Sequence, residues 1–317
     1  MRTARVDRYG PPESVTIVAA PVPRPRPGEV LVRVAAAGVS AGDARMRAGR
    51  FPPGFGPLAR LAIGLRGPRV GVLGSTFAGV VEEPGDGVNG PAAGDRVAGM
   101  TGVRMGCHAE FVSVPAHAAV RIPASLGDPD AAGVLFGGTT ALHFLRDRAG
   151  VRPGATVLVN GASGSVGSAA VQLAATLGAT VTAVCSAANR ELVVRLGAER
   201  WIDYATTPVA RVGERFDVVF DAVGNLSRAE GLRLLAPDGA LVLAVASLFE
   251  MIRGGRRVFA GSAPERPEDV GHLLGLAASG RLDPLATVLG GLDALPEAYR
   301  TIDSGRKVGN LVVLPGR

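Results

Sequence analysis

Apolar and polar positions alternate along this chain with two different periods, and the change falls near residue 120. Before it the pattern is strand and turn. "EVLVRVAAAGVS" sets Val30, Val32 and Val34 at every second position, the period of a half-buried strand. "STFAGVVEEPGDGV", "GDRVAGM" and "HAEFVSVPAHAAVRIP" continue as short strands cut by Gly and Pro. The stretch "RFPPGFGPLARLAIGLRGPR" interrupts them and reads as a long loop with a helical turn or two around Leu58 to Leu65. Long loops inside compact domains are often functional covers.

Beyond residue 120 strands alternate with helices: "TVLVNG", "TVTAVCS", "FDVVFDAVG" and "GALVLAVAS" supply the strands. In the first helix Val166, Ala169, Ala170, Leu173, Ala174 and Leu177 recur at spacings of three and four, which puts them on one face, and Gly178 stands where the helix should stop. Repeated strand-helix-strand units predict an α/β fold with a doubly wound parallel sheet. Near the end, "PEDVGHLLGLAASGRL" predicts a helix and "GNLVVLP" a closing strand that returns to the first module. The expected organisation is a β-rich module over 1–120, a strand-helix module over 121–255, and a return segment over 256–317.

Length and composition agree with two packed domains: 317 residues exceed the usual size of one, and 47% hydrophobic with 20% charged residues is a globular balance. The formal charge is +6, carried almost wholly by scattered arginines, and Lys307 is the only lysine. No basic stripe with interleaved aromatics appears, so no nucleic-acid partner is expected. Two cysteines, Cys107 and Cys185, cannot build a disulfide framework or a four-thiolate zinc site. The start "MRTARVDRYG" lacks the apolar core of a signal peptide, and no apolar run reaches about 18 residues, so a cytoplasmic protein without a membrane partner is expected.

The candidate chemistry begins at residues 161 to 167, Gly-Ala-Ser-Gly-Ser-Val-Gly. Aligned on G-x-G-x-x-G, Gly164 and Gly167 take the second and third places and Ala162 replaces the first. The second glycine lets backbone approach a pyrophosphate, and the third lets the helix pack on the sheet. A helix starting near Ser165 aims its free N–H groups and positive dipole end at the phosphates. Such a pattern is weak alone; here Val157, Leu158 and Val159 precede it and an amphipathic helix follows, which is the required context. About 20 residues on, an NAD-binding fold usually carries an acid that holds the adenosine ribose. This chain has Cys185-Ser186-Ala187-Ala188-Asn189-Arg190 there. Ser186, Asn189 and Arg190 suit a 2′-phosphate that a carboxylate would repel, which points to NADP(H); alternatively Arg190 is a solvated helix residue.

With these residues the chain resembles the medium-chain dehydrogenase/reductase superfamily, and within it the zinc-free quinone oxidoreductases similar to zeta-crystallin. The markers are "GVSAGDARMRAG", "GSTFAGVVE", "GDRVAG", "HAEFV", "GGTTAL", "VLVNGASGSVGSAAVQLA", "LGAERWIDY", "FDVVFDAVG" and "GRKVGNLVV". The resemblance implies a GroES-like domain built from both chain ends, a Rossmann domain between them, and a nicotinamide in the cleft. It implies that Ser165 and Val166 touch the pyrophosphate, and that Ser186, Asn189 and Tyr204 surround the 2′-phosphate. Thr140, Val245, Ala246 and Ser247 would line the nicotinamide end, and Asn310 falls where the closing segment returns to the cofactor. The catalytic zinc ligands of the superfamily's alcohol dehydrogenases match Ser40, Ser75 and Phe136, none a reasonable ligand, so no metal is expected. A homodimer through the edge of the nucleotide-domain sheet, around "GALVLAVAS", is implied by analogy.

Ser40, Asp43 and Arg45 are the candidates for contact with a small-molecule substrate, although Asp43 also reads as a structural carboxylate holding Arg47 or loop backbone. Phe51 and Phe55 would wall an apolar pocket or simply pack. Three functions stay open: an NADPH-dependent quinone reductase, an NADPH-dependent reductase of activated carbon-carbon double bonds, and an NADPH-binding protein with little catalysis.

Overall fold

A computed structural model describes residues 1–51, 54, 56–245, 249, 255 and 257–317, with the side chains of 57–59 left aside. Phe55, Ala246 and Ser247 therefore lie outside the described residues. The first module opens with strands β1 (Arg2–Arg5), β2 (Thr16–Ala19) and β3 (Glu29–Val39), then helices α1 (Ala41–Ala48) and α2 (Gly56–Ile63). It continues through β4 (Thr76–Pro84), β5 (Arg96–Met100), β6 (Phe111–Pro115) and β7 (Val120–Arg121). The expected helical turns in the proline-rich loop are α2.

A long helix, α3 (Asp128–Leu142), leads into the second module: β8 (Thr156–Asn160), α4 (Ser165–Thr176), β9 (Thr180–Cys185), α5 (Arg190–Arg195) and β10 (Arg200–Asp203). Then come β11 (Phe216–Asp221), α6 (Arg228–Arg233), β12 (Leu235–Leu243) and β13 (Val258–Ala260). The chain closes with α7 (Pro267–Ala278), β14 (Ala286–Gly290), α8 (Leu295–Asp303) and β15 (Asn310–Val313).

Six of these strands form one sheet in the order β10-β9-β8-β11-β12-β13, every pair parallel. The order reverses between β8 and β9 on one side and β11 on the other, which opens a crevice at their carboxyl ends, the usual ligand position in such sheets. The expected doubly wound α/β domain is present. Its border needs a correction: β13 joins this sheet beside β12, so the domain runs past residue 255 and the return segment starts later than 256.

The periodicity identified the strands, but local pattern carries no information about which strand pairs with which. The same limit corrects the sheet edge expected around "GALVLAVAS". Leu241 in "GALVLAVAS" pairs with Val219 on one side and Val258 on the other, so this stretch is interior and offers no edge.

A second, mixed sheet runs β14-β15-β3-β4-β5-β7, with β6 also paired to β3. Strand β15 lies antiparallel to β3, Leu311 opposite Val39, so the chain end does complete the first module. The GroES-like expectation and the observed sheet agree. One core, containing Val30, Val32, Phe77 and Leu295, fills this module. Another is continuous across the two modules, from Ala36 and Ala78 through Leu135 on α3 to Val159, Ala170 and Leu273. Helix α3 is thus the shared wall. Among the described residues no helix is long and apolar enough to cross a membrane.

Candidate active site

Glycine alone permits the turn between β8 and α4. Gly161 has φ +80, a conformation that costs other residues a Cβ clash, so it makes the tight turn that fingerprint alignment assigned to the place of Ala162. A Cβ on Gly167 would lie 2.0 Å from the Gly161 carbonyl oxygen, so a side chain there would drive α4 off the turn. Gly164 is the N-cap of α4 in extended conformation, and Ser165, Val166 and Gly167 form the first turn, whose N–H groups have no intrahelical acceptor.

The turn is held from three directions. From the closing segment, Gly309 N–H donates to the Ser163 carbonyl at 2.9 Å. Asn310 accepts a hydrogen bond from the Ser165 hydroxyl and donates to the Pro284 carbonyl at 2.7 Å. From α3, Gly137 lies so close that a Cβ there would meet the Ser165 carbonyl oxygen at 2.3 Å. Below, Asn160 at the end of β8 donates to Asp221 at 2.8 Å and to Asn225 at 2.7 Å. Asp221 is fully buried and accepts from the N–H groups of Val223, Gly224 and Leu226. Sequence reasoning passed over this clamp, although Asp221 ends the quoted "FDVVFDAVG" and Asn160 the first strand.

Where the adenosine is expected, β9 ends at Cys185 and Ser186 follows. The Asn189 amide donates to the hydroxyls of Ser163 at 3.0 Å and Ser186 at 3.3 Å, so the three cluster beside the turn. Arg190 stacks its guanidinium 5.4 Å from the Trp201 ring centroid, a cation–π contact. Tyr204 is 53% exposed. One carboxylate does stand nearby: Asp203, last in β10, pairs in register with Cys185 and accepts from Ala205 N–H at 3.0 Å. It closes its own turn.

Across the cleft, Ser40 caps α1. Its hydroxyl accepts from Asp43 N–H at 3.2 Å, while the Asp43 carboxylate accepts from both Ser40 N–H and Ser40 Oγ at 2.7 Å and from Gly74 N–H at 3.1 Å. Asp43 is 1% exposed with both oxygens engaged. Of its two readings, this geometry matches the backbone-holding one, though not through Arg47. That guanidinium is buried and bonds Gly10 and Asp303 instead. Arg45 is half-buried, its guanidinium makes no hydrogen bond among the described residues, and desolvation, aided by Arg50, lowers its pKa.

Ser75, the residue after the Gly74 that bonds Asp43, is buried, and the Gly42 Cα, two residues from Ser40, points at the Phe136 ring on α3, which a Cβ would meet at 3.7 Å. Thr140 donates to the Phe136 carbonyl at 2.9 Å. Val245 packs over Gly224, where a Cβ would lie 2.9 Å from it.

Behind Asp43, His108 is fully buried, its Nε2 3.1 Å from the Gly38 carbonyl and its Nδ1 3.5 Å from the Tyr299 hydroxyl. Burial lowers the His108 pKa against an opposing pull from Asp43, and burial raises that of Tyr299. Among the described residues no three His, Cys, Asp or Glu side chains gather as a metal cluster.

Comparisons with known proteins agree with this architecture. Residues 26–124 match the alcohol dehydrogenase GroES-like domain, and residues 165–266 match the zinc-binding dehydrogenase family. The quinone oxidoreductase of Coxiella burnetii superposes with a TM-score of 0.87 at 27% identity, covering 99% of both chains. A mycobacterial protein solved in complex with NADPH gives a TM-score of 0.80 at 27% identity over 99% of this chain and 100% of its own. The phthioceranic/hydroxyphthioceranic acid synthase of Mycobacterium tuberculosis is 35% identical over 225 residues, 69% of this chain; the match spans only 10% of that protein's length. With a glycine turn at the switch point of a six-stranded parallel sheet and a GroES-like domain facing it, the chain belongs to the medium-chain dehydrogenase/reductase superfamily.

Proposed function

We propose that the protein uses NADPH to reduce a quinone without a metal ion. What supports this reading is the chemistry of Ser40, Ser75 and Phe136, the positions that the resemblance matches to the catalytic zinc ligands of zinc-dependent members. Two hydroxyls and a phenyl ring do not fit zinc, which takes thiolate, imidazole or carboxylate, and Ser40 is already committed to Asp43. No step is therefore routed through a metal. A quinone suits such a site because the charge arriving with hydride spreads onto its oxygen and needs no Lewis acid.

NADPH supplies the hydride; the protein's part is binding, orientation and exclusion of water. The N–H groups of Ser165, Val166 and Gly167 would hold the pyrophosphate on the positive end of α4. Ser186, Asn189, Arg190 and Tyr204 would surround the 2′-phosphate, with no carboxylate at the end of β9 to repel it. Asn310 fixes the Ser165 hydroxyl, so it positions the first turn. Thr140 and Val245 would border the nicotinamide end, and Ser40 and Arg45 would face the substrate.

A second reading, reduction of an activated carbon-carbon double bond, is favoured by the match to the mycobacterial acid synthase. The test is NADPH oxidation with quinones, enones and alkenals, with and without a chelator, repeated with NADH. Quinones should turn over fastest, the chelator should change nothing, and kcat/KM should be at least about tenfold higher with NADPH than with NADH, roughly the 1.4 kcal/mol of one charge-assisted contact. Faster enone turnover would favour the second reading. Tight NADPH binding without turnover would mean a non-catalytic protein, and loss with chelator would overturn the metal-free site.

A further inference from the structure

We infer that Lys307 supplies the charge that holds the 2′-phosphate of the coenzyme, reaching it from the closing segment of the chain. The inference deepens the NADPH reading and rests on it. Lys307 is the only lysine of the protein. Its ammonium donates to the Gly309 carbonyl, and the Gly309 N–H donates to the Ser163 carbonyl at 2.9 Å. The hydroxyl of the same Ser163 accepts from Asn189, which also donates to Ser186. Gly309 and Gly164 form a parallel bridge across this contact. Through Gly309 and Ser163 the ammonium is thus linked to the Asn189–Ser186 cluster that flanks the missing acid.

Nothing among the described residues neutralises that charge. Asp303, the nearest acid on the preceding helix, is paired with Arg47 and Arg50, and Asp283 is paired with Arg195. Lys307 is largely withdrawn from water, and desolvation alone holds it down to about 8. A buried ammonium without a counter-ion is costly, and an anion brought beside it removes that cost. Arg190, next to Asn189, is stacked on Trp201. Asn310, on the same segment, already serves Ser165, which leaves Lys307 free to serve the phosphate.

The experiment is calorimetric titration of the full chain with NADPH and NADH between pH 7 and 10, for wild type, Lys307→Met and Lys307→Arg. Lys307→Met should weaken NADPH about tenfold or more and NADH by less than about twofold, as expected on losing one charge-assisted contact to phosphate. Lys307→Arg should keep most of the preference. Wild-type NADPH affinity should fall as pH rises above about 8, because the free ammonium then loses its proton, while NADH affinity stays flat.

Reductive 13C-methylation gives a direct second reading, since Lys307 and the amino terminus are the only amines. The Lys307 signal should titrate higher with NADPH bound and stay put with NADH; this decides the case if Lys307→Met does not fold. Equal weakening of both coenzymes, or an unmoved signal, would overturn the inference. A wild-type preference for NADPH that survives in Lys307→Met would sink it while leaving the NADPH reading intact. No wild-type preference would sink both.

Discussion

Ser186 follows the last residue of β9, and its hydroxyl lies 3.3 Å from the Asn189 amide. A carboxylate here would restore the ribose contact of NAD-binding folds and set a negative charge against a 2′-phosphate. Ser186→Asp should therefore raise the NADPH Kd roughly 100-fold, about 2.7 kcal/mol, and tighten NADH; calorimetry with both coenzymes checks it, and unchanged NADPH affinity would remove Ser186 from the pocket. The sequence singled out this position through an absence at a known spacing. Asp43 was harder. Ser40-x-x-Asp43 is the spacing of a capping box, in which the side chain three residues on reaches back to the cap N–H, and that signal competed with a substrate-contact reading. Lys307 gave no signal, because the Gly309 that it bonds reaches Ser163, 146 positions earlier, only through tertiary folding.

Helix α3 shows what local pattern leaves out. It is apolar nearly all round, with ten residues from Ala131 to Leu142 buried, because it is packed by both modules. A helix buried on every side has no clear amphipathic stripe to betray its partners, and none of its contacts with α4 was anticipated. The strands and the glycine-turn helix, each with one strong period, were readable; the pairing order and the last strand of the parallel sheet were not.

Gly137 is where α3 meets the Ser165 backbone, and backbone cannot move aside as a flexible side chain can. Gly137→Ala would gain helix propensity of about 1 kcal/mol yet force the helices apart, and overpacking of this kind costs about 1–3 kcal/mol. The net expectation is a lower Tm together with weaker binding of both NADPH and NADH, because the displaced Ser165 belongs to the turn proposed to hold the pyrophosphate. A more stable variant with unchanged affinities would show that α3 does not brace the turn. Further along, Arg146 joins Asp147 and Asp269, and Arg266 joins Asp147, so the end of this helical run is tied by charge to α7.

At the scale of the molecule, His108 couples the β3 backbone at Gly38 to Tyr299 on α8, over Gly74, whose Cβ would lie 2.5 Å from the ring. These contacts join segments far apart in sequence, so they exist only when the whole GroES-like module is assembled. Burial lowers the His108 pKa in the folded protein below its ordinary value of 6.5. The unfolded chain then takes up a proton before the folded one does, so the stability present above pH 6.5 drains away as pH falls through that value. The slope reaches at most about 1.4 kcal/mol per pH unit for one group. Thermal melts of wild type and His108→Gln from pH 7.5 to 5 should show a shallower decline in the variant, even though it starts from a lower Tm after losing a buried contact. Parallel declines would mean that His108 takes up its proton in the folded state, and that the module tolerates a charge at its centre.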